Sequence, residues 1–215
     1  CRRGSFDGRG NTLIKNKEDL DTWLEKSNNN FQHYYIEDYL NFENELSICG
    51  CKNNGSINYF EPVVNLHKNN ILIKTTFYEN IVKHNIKNKV IDLYSKLLNL
   101  FDTKGVICCE FFEYNNDIYI NEIALRVHNT YHISLDCCNI SQFELHLRSI
   151  LDLQIPQLKF TKEGCMYNII SNMQNENEIL NIYYKIKDKY YIKVKKYNKE
   201  PLGIRKIGHI NFVKI

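Results

Sequence analysis

Long apolar segments are absent from this 215-residue chain, so the sequence predicts no membrane-spanning helix. No hydrophobic run approaches the roughly 20 residues that a membrane-spanning helix needs. The start, CRRGSFDGRG, is polar and glycine-rich and does not resemble a secretory signal peptide. The net charge is only +3, which is too small to predict binding to nucleic acid or to a membrane surface. The composition, 43% hydrophobic and 25% charged, is that of a globular domain with at most a small appendage.

Paired cysteine motifs are absent as well. The chain has 8 cysteines but no C-x-x-C spacing, so the sequence predicts no zinc site. The neighbours Cys108 and Cys109, like Cys137 and Cys138, are adjacent in sequence, and adjacent cysteines seldom bridge each other. We therefore predict reduced thiols in a cytoplasmic protein. Because the chain begins with Cys1, directly before a glycine-rich loop, we expect it to be part of a longer protein.

Apolar periodicity predicts a mixture of helices and strands. Alternation predicts strands over 11–15, 33–40, 45–51, 57–60 and 71–77. Helical spacing predicts helices over 17–26 and 78–101. The capping-box sequence SQFE at 141–144 predicts a third helix, whose apolar face carries Phe143, Leu147, Ile150 and Leu151. The last third, including NIYYKI, predicts a small β region, so the class is α+β.

The segment GVICCEFFEYNNDIYINEIALRVHN (105–129) predicts a hairpin that carries two glutamates. If the turn is centred on Asn116, Glu110 lies directly opposite Glu122, with Cβ atoms about 5 Å apart. Two carboxylates at that distance repel each other, and a divalent cation such as Mg²⁺, which prefers oxygen ligands, is the simplest compensation. Two alternatives stay open at this point: a bulged register, or pairing of the carboxylates by Arg126.

The loop RRGSFDGRG (2–10) is basic and glycine-rich. Glycines let the backbone approach a ligand closely, and successive N–H groups can bind phosphates. The loop lacks the G-K-[ST] of a Walker A motif, and a strand pattern rather than a helix follows it. Both a flap over a nucleotide and an ordinary surface turn fit this composition.

Taken together, these motifs resemble the ATP-grasp enzyme family of 5-(carboxyamino)imidazole ribonucleotide synthase, the ATPase component of phosphoribosylaminoimidazole carboxylase. The resemblance rests on RRGSFDGRG, CEFF, NEIALRVHN, ISQFELHLRSILDLQIPQ (140–157) and RKIGHINFV (205–213). It implies an ATP-grasp domain of antiparallel sheets with packed helices over 1–160. A small β-rich C-terminal domain would occupy 161–215.

The resemblance also implies roles for individual residues. The flap over the ATP phosphates would be Ser5, Phe6, Asp7, Gly8, Arg9, Gly10 and Asn11. The adenine hinge would be Glu37, Asp38, Tyr39 and Leu40; Glu45 would hold the ribose and His67 would lie at the nucleotide site. Glu110 and Glu122 would bind Mg²⁺, with Asn121 beside them. The carboxylation site would be lined by Arg126, His128, Asn129 and His132, and the ribotide phosphate would be held by Lys199, Arg205 and Lys206.

The implied reaction is the ATP- and bicarbonate-dependent carboxylation of 5-aminoimidazole ribonucleotide in purine biosynthesis, by a ligase that the family suggests is a homodimer. Four motifs depart from the family pattern, at Glu61-Pro62, Leu125, Thr130-Tyr131 and 202–204. Tyr131 replaces a glycine, so we expect it to narrow the substrate site, and Leu202 replaces an arginine. Two other functions remain open. One is a different ATP-grasp carboxylate–amine ligase, and the other is a non-catalytic remnant that binds nucleotide.

Overall fold

The computed structural model describes residues 11–27, 33–171, 175–200 and 203–215. Their fold is α+β, as predicted, with one antiparallel sheet and packed helices. The strands are β1 (Asn44–Asn53), β2 (Ser56–Tyr59), β3 (Val63–Lys68), β4 (Ile71–Phe77), β5 (Ile107–Tyr114), β6 (Asp117–Ala124), β7 (Gly164–Ile170), β8 (Tyr190–Lys196) and β9 (Lys206–Lys214). The helices are α1 (Lys17–Lys26), α2 (His84–Leu100), α3 (Ser134–Cys137), α4 (Gln142–Ile150) and α5 (Asn175–Ile186), with a 3₁₀ turn at Asn129–Ile133.

The strand order is β6-β5-β1-β3-β4-β7-β9-β8. Strand β3 pairs with the first half of β1, and β2 pairs with its second half. Three of the hairpins turn on asparagine. Asn54 precedes Gly55 between β1 and β2, Asn69 and Asn70 link β3 to β4, and the pair 115–116 links β5 to β6. All of these asparagines have positive φ, which asparagine tolerates better than most residues. The asparagine-rich composition therefore serves tight turns between neighbouring strands.

The two faces of the sheet are covered differently. On one face, α2 buries Ile86, Val90 and Tyr94 against a cluster that includes Ile48 and Phe111 of the sheet. On the other face, the 3₁₀ turn and α4 cover a second cluster of the sheet. Side chains of a strand alternate between the two faces of a sheet. Strand β5 therefore directs Cys109 and Phe111 to the α2 side, and Cys108 and Glu110 to the opposite side. That opposite face carries the candidate site.

Several sequence-based predictions of elements are wrong. Residues 11–15 and 34–43 form neither helix nor strand, and the side chains of Tyr35, Ile36 and Tyr39 are all exposed. The segment NIYYKI belongs to α5, because Ile179, with Ile182 or Tyr183 and then Ile186, follows helical spacing. The long helix begins at His84 rather than at 78, after Asn80 takes a positive φ that interrupts a helix.

Helix α4 begins as predicted, with Ser141 accepting a hydrogen bond from the backbone N–H of Glu144, but its buried face is not the predicted one. Phe143, Leu147 and Ile150 are exposed. The buried residues are Gln142, Leu145 and Ser149. This face is polar because it meets irregular backbone: the Ser149 hydroxyl accepts from the N–H of Gly105 at 3.0 Å, and His146 Nδ1 accepts from that of Val106 at 3.1 Å.

The chain divides into two compact units, residues 1–41 with 67–71, and residues 42–66 with 72–215. In the first, Asn16 caps α1, and the rings of Trp23 and Tyr34 meet edge to face at 4.7 Å. In the second, β7 pairs with both β4 and β9, so the C-terminal strands continue the sheet. The domain division into 1–160 and 161–215 stays a prediction.

The cysteines of the described part of the chain are all free, as expected of reduced thiols. Within the same part, no helix has the length and apolarity needed to cross a membrane.

Candidate active site

The hairpin β5–β6 brings Glu110 and Glu122 opposite each other, as predicted, although the turn is not centred where expected. Tyr114 lies opposite Asp117, so the turn is the two-residue pair 115–116. A regular ladder from that turn would place Glu110 opposite Asn121. A β-bulge between Glu110 and Phe111 adds one residue on β6 and restores the Glu110–Glu122 pairing. The two carboxylates therefore lie on one side of the sheet.

The ring of His128 lies between the two carboxylates. Its Nδ1 is 3.5 Å from Oε1 of Glu110, and its Nε2 is 3.8 Å from Oε1 of Glu122. The Glu110 side chain is 10% exposed and that of Glu122 is 51% exposed, so the pair is closed on one side and open on the other. Arg126 does not pair them, because its guanidinium donates to the carbonyl of Val127 at 3.1 Å. We call Glu110, Glu122 and His128 the acidic hairpin site.

The charge of His128 responds to these neighbours. Burial lowers the pKa of its imidazole, but the Cys108 sulfur and the carboxylates of Glu110 and Glu122 raise it, and the net shift is upward. Thr130 lies below the ring, with its hydroxyl 3.0 Å from His128 Nδ1 and 3.6 Å from Cys108 Sγ. Two carboxylates and one imidazole thus lie close together at this end of the loop.

The donor atoms fit a hard divalent cation. In the described ranges, no group of three or more His, Cys, Asp or Glu side chains could enclose a metal ion. The hairpin supplies two carboxylates, one of them open to solvent, and Mg²⁺ is typically held by one or two carboxylates with water and phosphate oxygens completing its coordination. Glu110 and Glu122 therefore suit an ion that is shared with a phosphate ligand.

The loop after β6, residues 126–133, is held in place by buried amides from other segments. Asn129 and Asn168 of β7 exchange two hydrogen bonds, at 2.9 and 2.7 Å, and Asn168 also donates to the carbonyl of Leu72 at 2.9 Å. Asn211 of β9 donates to the carbonyl of His132 at 3.1 Å and to the Asp136 carboxylate at 2.6 Å. These bonds fix the loop across β5, β7 and β9.

Tyr131 does not narrow a substrate site, which corrects the expectation from its replacement of glycine. Its side chain is fully buried. The hydroxyl donates to the carbonyl oxygens of Ser47 and Glu61, at 3.0 and 2.8 Å, and the ring stacks on Phe60. The larger residue therefore fills the core beneath the loop.

A second set of charged groups lies at the other end of the loop. The ring centroid of His132 is 4.9 Å from that of His209 on β9, and His209 Nδ1 is 2.7 Å from the hydroxyl of Tyr197. Burial and the positive charges of His209, His128, Lys206 and Lys199 lower the pKa of His132 to about 3. We call His132, His209, Lys199 and Lys206 the basic cluster. Of the predicted phosphate-binding residues, Lys199 and Lys206 join it, whereas the Arg205 guanidinium donates to the carbonyl of Glu200 at 3.3 Å.

The structure describes only some of the remaining predicted ligand-binding positions, and Leu202 lies outside the described residues. The flap residues 5–10 lie outside the described part of the chain, and Asn11 is exposed. In the predicted hinge, Glu37, Asp38 and Tyr39 are exposed and Leu40 is half-buried. Glu45 of β1 and His67 of β3 are half-buried, and Asn121 is exposed at the bulge. Their roles at a nucleotide stay predictions.

Sequence reasoning missed the buried polar residues that hold the site. They are Ser47, Asn65, Thr75, Gln142, Asn168, His209 and Asn211, and each is almost fully buried. Thr75 donates to Asn65 at 3.0 Å, and Asn65 donates to Ser47, which lies opposite Glu110. The one available signal was that Asn168, His209 and Asn211 are polar positions within strongly apolar strands.

Several known proteins resemble this chain in sequence. A model of the ATP-grasp domain matches residues 1–143. The N5-carboxyaminoimidazole ribonucleotide synthase of Bacillus subtilis is 31% identical over 221 residues, which cover 99% of this chain and 54% of that protein. The phosphoribosylaminoimidazole carboxylase of Candida glabrata is 32% identical over 217 residues, which cover 97% of this chain and 37% of that protein. The chain thus spans about half, or less, of the length of these relatives.

Solved structures show the same likeness. Carboxyaminoimidazole ribonucleotide synthase from Aspergillus clavatus, complexed with ATP, superposes with a TM-score of 0.84 at 29% identity, covering 97% of this chain and 55% of that one. The synthase from the same organism, in complex with ADP and 5-aminoimidazole ribonucleotide, gives a TM-score of 0.83 at 29% identity, covering 95% and 55%.

Proposed function

Because the chain belongs to the ATP-grasp family, we propose that it supplies the site for an ATP-dependent carboxylation in purine biosynthesis. The substrate is 5-aminoimidazole ribonucleotide, and the product is its N5-carboxylated form. The observation that carries the proposal is one loop, 126–133, with acidic ligands for a metal–phosphate group at one end and a basic cluster at the other. The similarity to synthases complexed with ATP, or with ADP and the ribonucleotide, supports it.

The acidic hairpin site is suited to the triphosphate. When bound, Mg²⁺ would neutralise phosphate charge and polarise the γ-phosphate. Glu110 and Glu122 would hold it, and His128 lies against both carboxylates, from where it would donate to a phosphate or bicarbonate oxygen. Asn129, fixed by its paired bonds to Asn168, presents a rigid backbone beside that point. Positioning of this kind contributes to the rate by orienting the reactants and the developing charge.

The reaction proceeds in two transfers. A bicarbonate oxygen attacks the γ-phosphorus, the bond to the β-phosphate oxygen breaks, and ADP leaves with carboxyphosphate formed. The exocyclic amine of the ribonucleotide then attacks the carboxyl carbon, phosphate leaves, and the amine loses a proton. The basic cluster would bind the ribonucleotide phosphate through Lys199 and Lys206, whose charges act on His132 of the loop, and the amine would then lie near the loop. Because carboxyphosphate hydrolyses readily, the loop must exclude water as well as orient the groups.

The test is phosphate release from ATP by the intact protein, measured with bicarbonate in the presence and absence of 5-aminoimidazole ribonucleotide. We expect release to depend on the ribonucleotide. Release that ignores it would overturn the proposal in favour of another ATP-grasp ligase. ATP binding without turnover would identify a non-catalytic nucleotide-binding protein.

A further inference from the structure

Gln142, the first residue of α4, holds both ends of the loop through its side-chain amide. The side chain is fully buried. Its Oε1 accepts from the backbone N–H of His128 at 2.8 Å, and its Nε2 donates to the carbonyl of the same residue at 2.7 Å. The second Nε2 contact is His132 Nδ1, at 2.9 Å. The backbone N–H of Gln142 donates to the Ser134 hydroxyl at 2.9 Å. The side-chain amide cannot turn away without breaking its three contacts with His128 and His132.

The atom roles in this arrangement follow from the backbone of His128. A backbone N–H can only donate and a carbonyl can only accept, so Oε1 of Gln142 must face the former and Nε2 the latter. The amide nitrogen carries two hydrogens and has no lone pair to offer. Its contact with His132 Nδ1 therefore requires Nδ1 to accept, which leaves the ring proton on Nε2.

The surroundings also disfavour a charged His132. A protonated ring would direct Nδ1–H at the side-chain N–H of Gln142. Its positive charge would also lie close to His128, His209, Lys199 and Lys206. The ring of Phe143 covers one side of the imidazole at 5.6 Å, and the ring of Tyr197 approaches at 6.1 Å. Burial and these positive charges keep the pKa of His132 well below neutrality. At neutral pH the ring has one N–H donor and no free lone pair.

We propose that Gln142 is a positioning residue that fixes His132 as the Nε2–H tautomer, so that His132 donates a hydrogen bond to an oxyanion and does not act as a base. The oxyanion is a phosphate or carboxylate oxygen, because Lys199 and Lys206 make this end of the loop positive. A role in ribonucleotide carboxylation rests on the proposed function, but the tautomer and the binding of an oxyanion do not.

The direct test is nuclear magnetic resonance of the intact protein labelled with ¹⁵N-histidine. Long-range ¹H–¹⁵N correlations distinguish the two neutral tautomers and the charged ring, and the His132 signals are assigned by their loss in His132→Asn. We expect the Nε2–H pattern at pH 7, unchanged at pH 5. An Nδ1–H or charged ring at pH 7 would overturn the proposal. On titration with inorganic phosphate, the Nε2 resonance of His132 should shift; a resonance that does not respond would overturn its role as an oxyanion donor.

Gln142→Glu tests the cause. A carboxylate can still accept from the N–H of His128, but its other oxygen needs a donor, so the His132 proton should move to Nδ1 or the ring should become charged. Gln154→Glu, which adds the same charge at an exposed position beyond α4, should leave the Nε2–H pattern unchanged. An unchanged tautomer in Gln142→Glu would overturn the proposal; if that variant does not fold, the unsubstituted protein still decides the tautomer.

In the carboxylation assay, Gln142→Glu should lower kcat about tenfold, the loss expected for one hydrogen bond to a charged group. The KM for ATP should stay unchanged, and the pH profile should shift with the new ionisation of His132. If the intact protein shows no carboxylation at all, the proposed function fails, while the spectroscopic test of the tautomer remains decisive.

Discussion

The acidic hairpin site and the basic cluster lie at opposite ends of one loop and are built in different ways. In the hairpin, strand pairing alone sets the key distance, since Glu110 and Glu122 are neighbours across β5 and β6. In the basic cluster, the side chains come from the 3₁₀ turn, the segment after β8 and strand β9, and buried amides from α4 and β9 hold His132. The first site depends on a local register and the second on contacts distant in sequence.

This difference suggests a division of labour between the two sites. The hairpin has an excess of negative charge and should act on the metal–phosphate group of ATP. The cluster has an excess of positive charge and should act on the ribonucleotide. Substitutions at the two sites should therefore change different kinetic constants.

The largest effect should come from Glu122→Gln, which keeps the size of the side chain but removes one negative charge from the hairpin. We expect Mg²⁺-dependent ATP binding to weaken by about 100-fold or more, because loss of even an outer partner of a metal site costs about 10- to 100-fold and Glu122 is a proposed direct ligand. Asp117→Asn is the matched control, because it removes an exposed carboxylate from the same strand. Calorimetric titration of Mg-ATP measures both; an unchanged Mg²⁺ dependence in Glu122→Gln would remove this carboxylate from the metal site.

Tyr131→Phe tests whether the Tyr131 hydroxyl stabilises the fold beneath the loop or contacts a substrate. The change removes a buried hydroxyl that donates to two carbonyl oxygens, so the free energy of unfolding should fall by about 1 to 3 kcal/mol. The KM for the ribonucleotide should not change. Denaturant unfolding and steady-state kinetics measure the two quantities; normal stability combined with an altered KM would place the hydroxyl in the substrate site after all.

Lys199→Gln probes the basic cluster. Loss of one charged donor to a phosphate should raise the KM for 5-aminoimidazole ribonucleotide about tenfold, and the KM for ATP should stay the same. Lys196→Gln is the matched control, since Lys196 is exposed at the end of β8, three residues before Lys199. An equal rise in both substrate constants would contradict the division between the two sites.

The hairpin could be predicted from sequence because its information is local. Two apolar runs, an asparagine turn and one glutamate in each run suffice to pair the carboxylates, although the true turn and the bulge offset each other in a way that spacing cannot reveal. The capping residue Ser141 was equally local, and its hydrogen bond is as predicted.

The supports of the basic cluster could not be predicted, because they depend on which backbone groups meet in three dimensions. Helix α4 buries Gln142 and Ser149 instead of its apolar stripe, since the N–H groups of His128 and Gly105 need acceptors there. Similarly, the buried amides of Asn168 and Asn211 have value only because β7 and β9 pass beneath the loop. Hydrophobic periodicity contains no information about which backbone groups will require a hydrogen-bond partner.

The last effect is the pH dependence of stability that the basic cluster should impose. Burial and Lys195 lower the pKa of His209 to about 4, against the opposing effect of Asp136. The unfolded chain binds a proton near pH 6.5 while the folded one does not, so stability is full above that pH and falls as the pH drops towards 4. The slope should be at most about 1.4 kcal/mol per pH unit for His209. In His209→Asn, whose amide can still meet the Tyr197 hydroxyl, denaturant unfolding between pH 7 and pH 4.5 should show a shallower decline. An equally steep decline would mean that folding does not lower the pKa of His209, so that its ring takes up a proton in the folded protein. The cluster would then resemble the acidic hairpin site in keeping ionised groups in close contact.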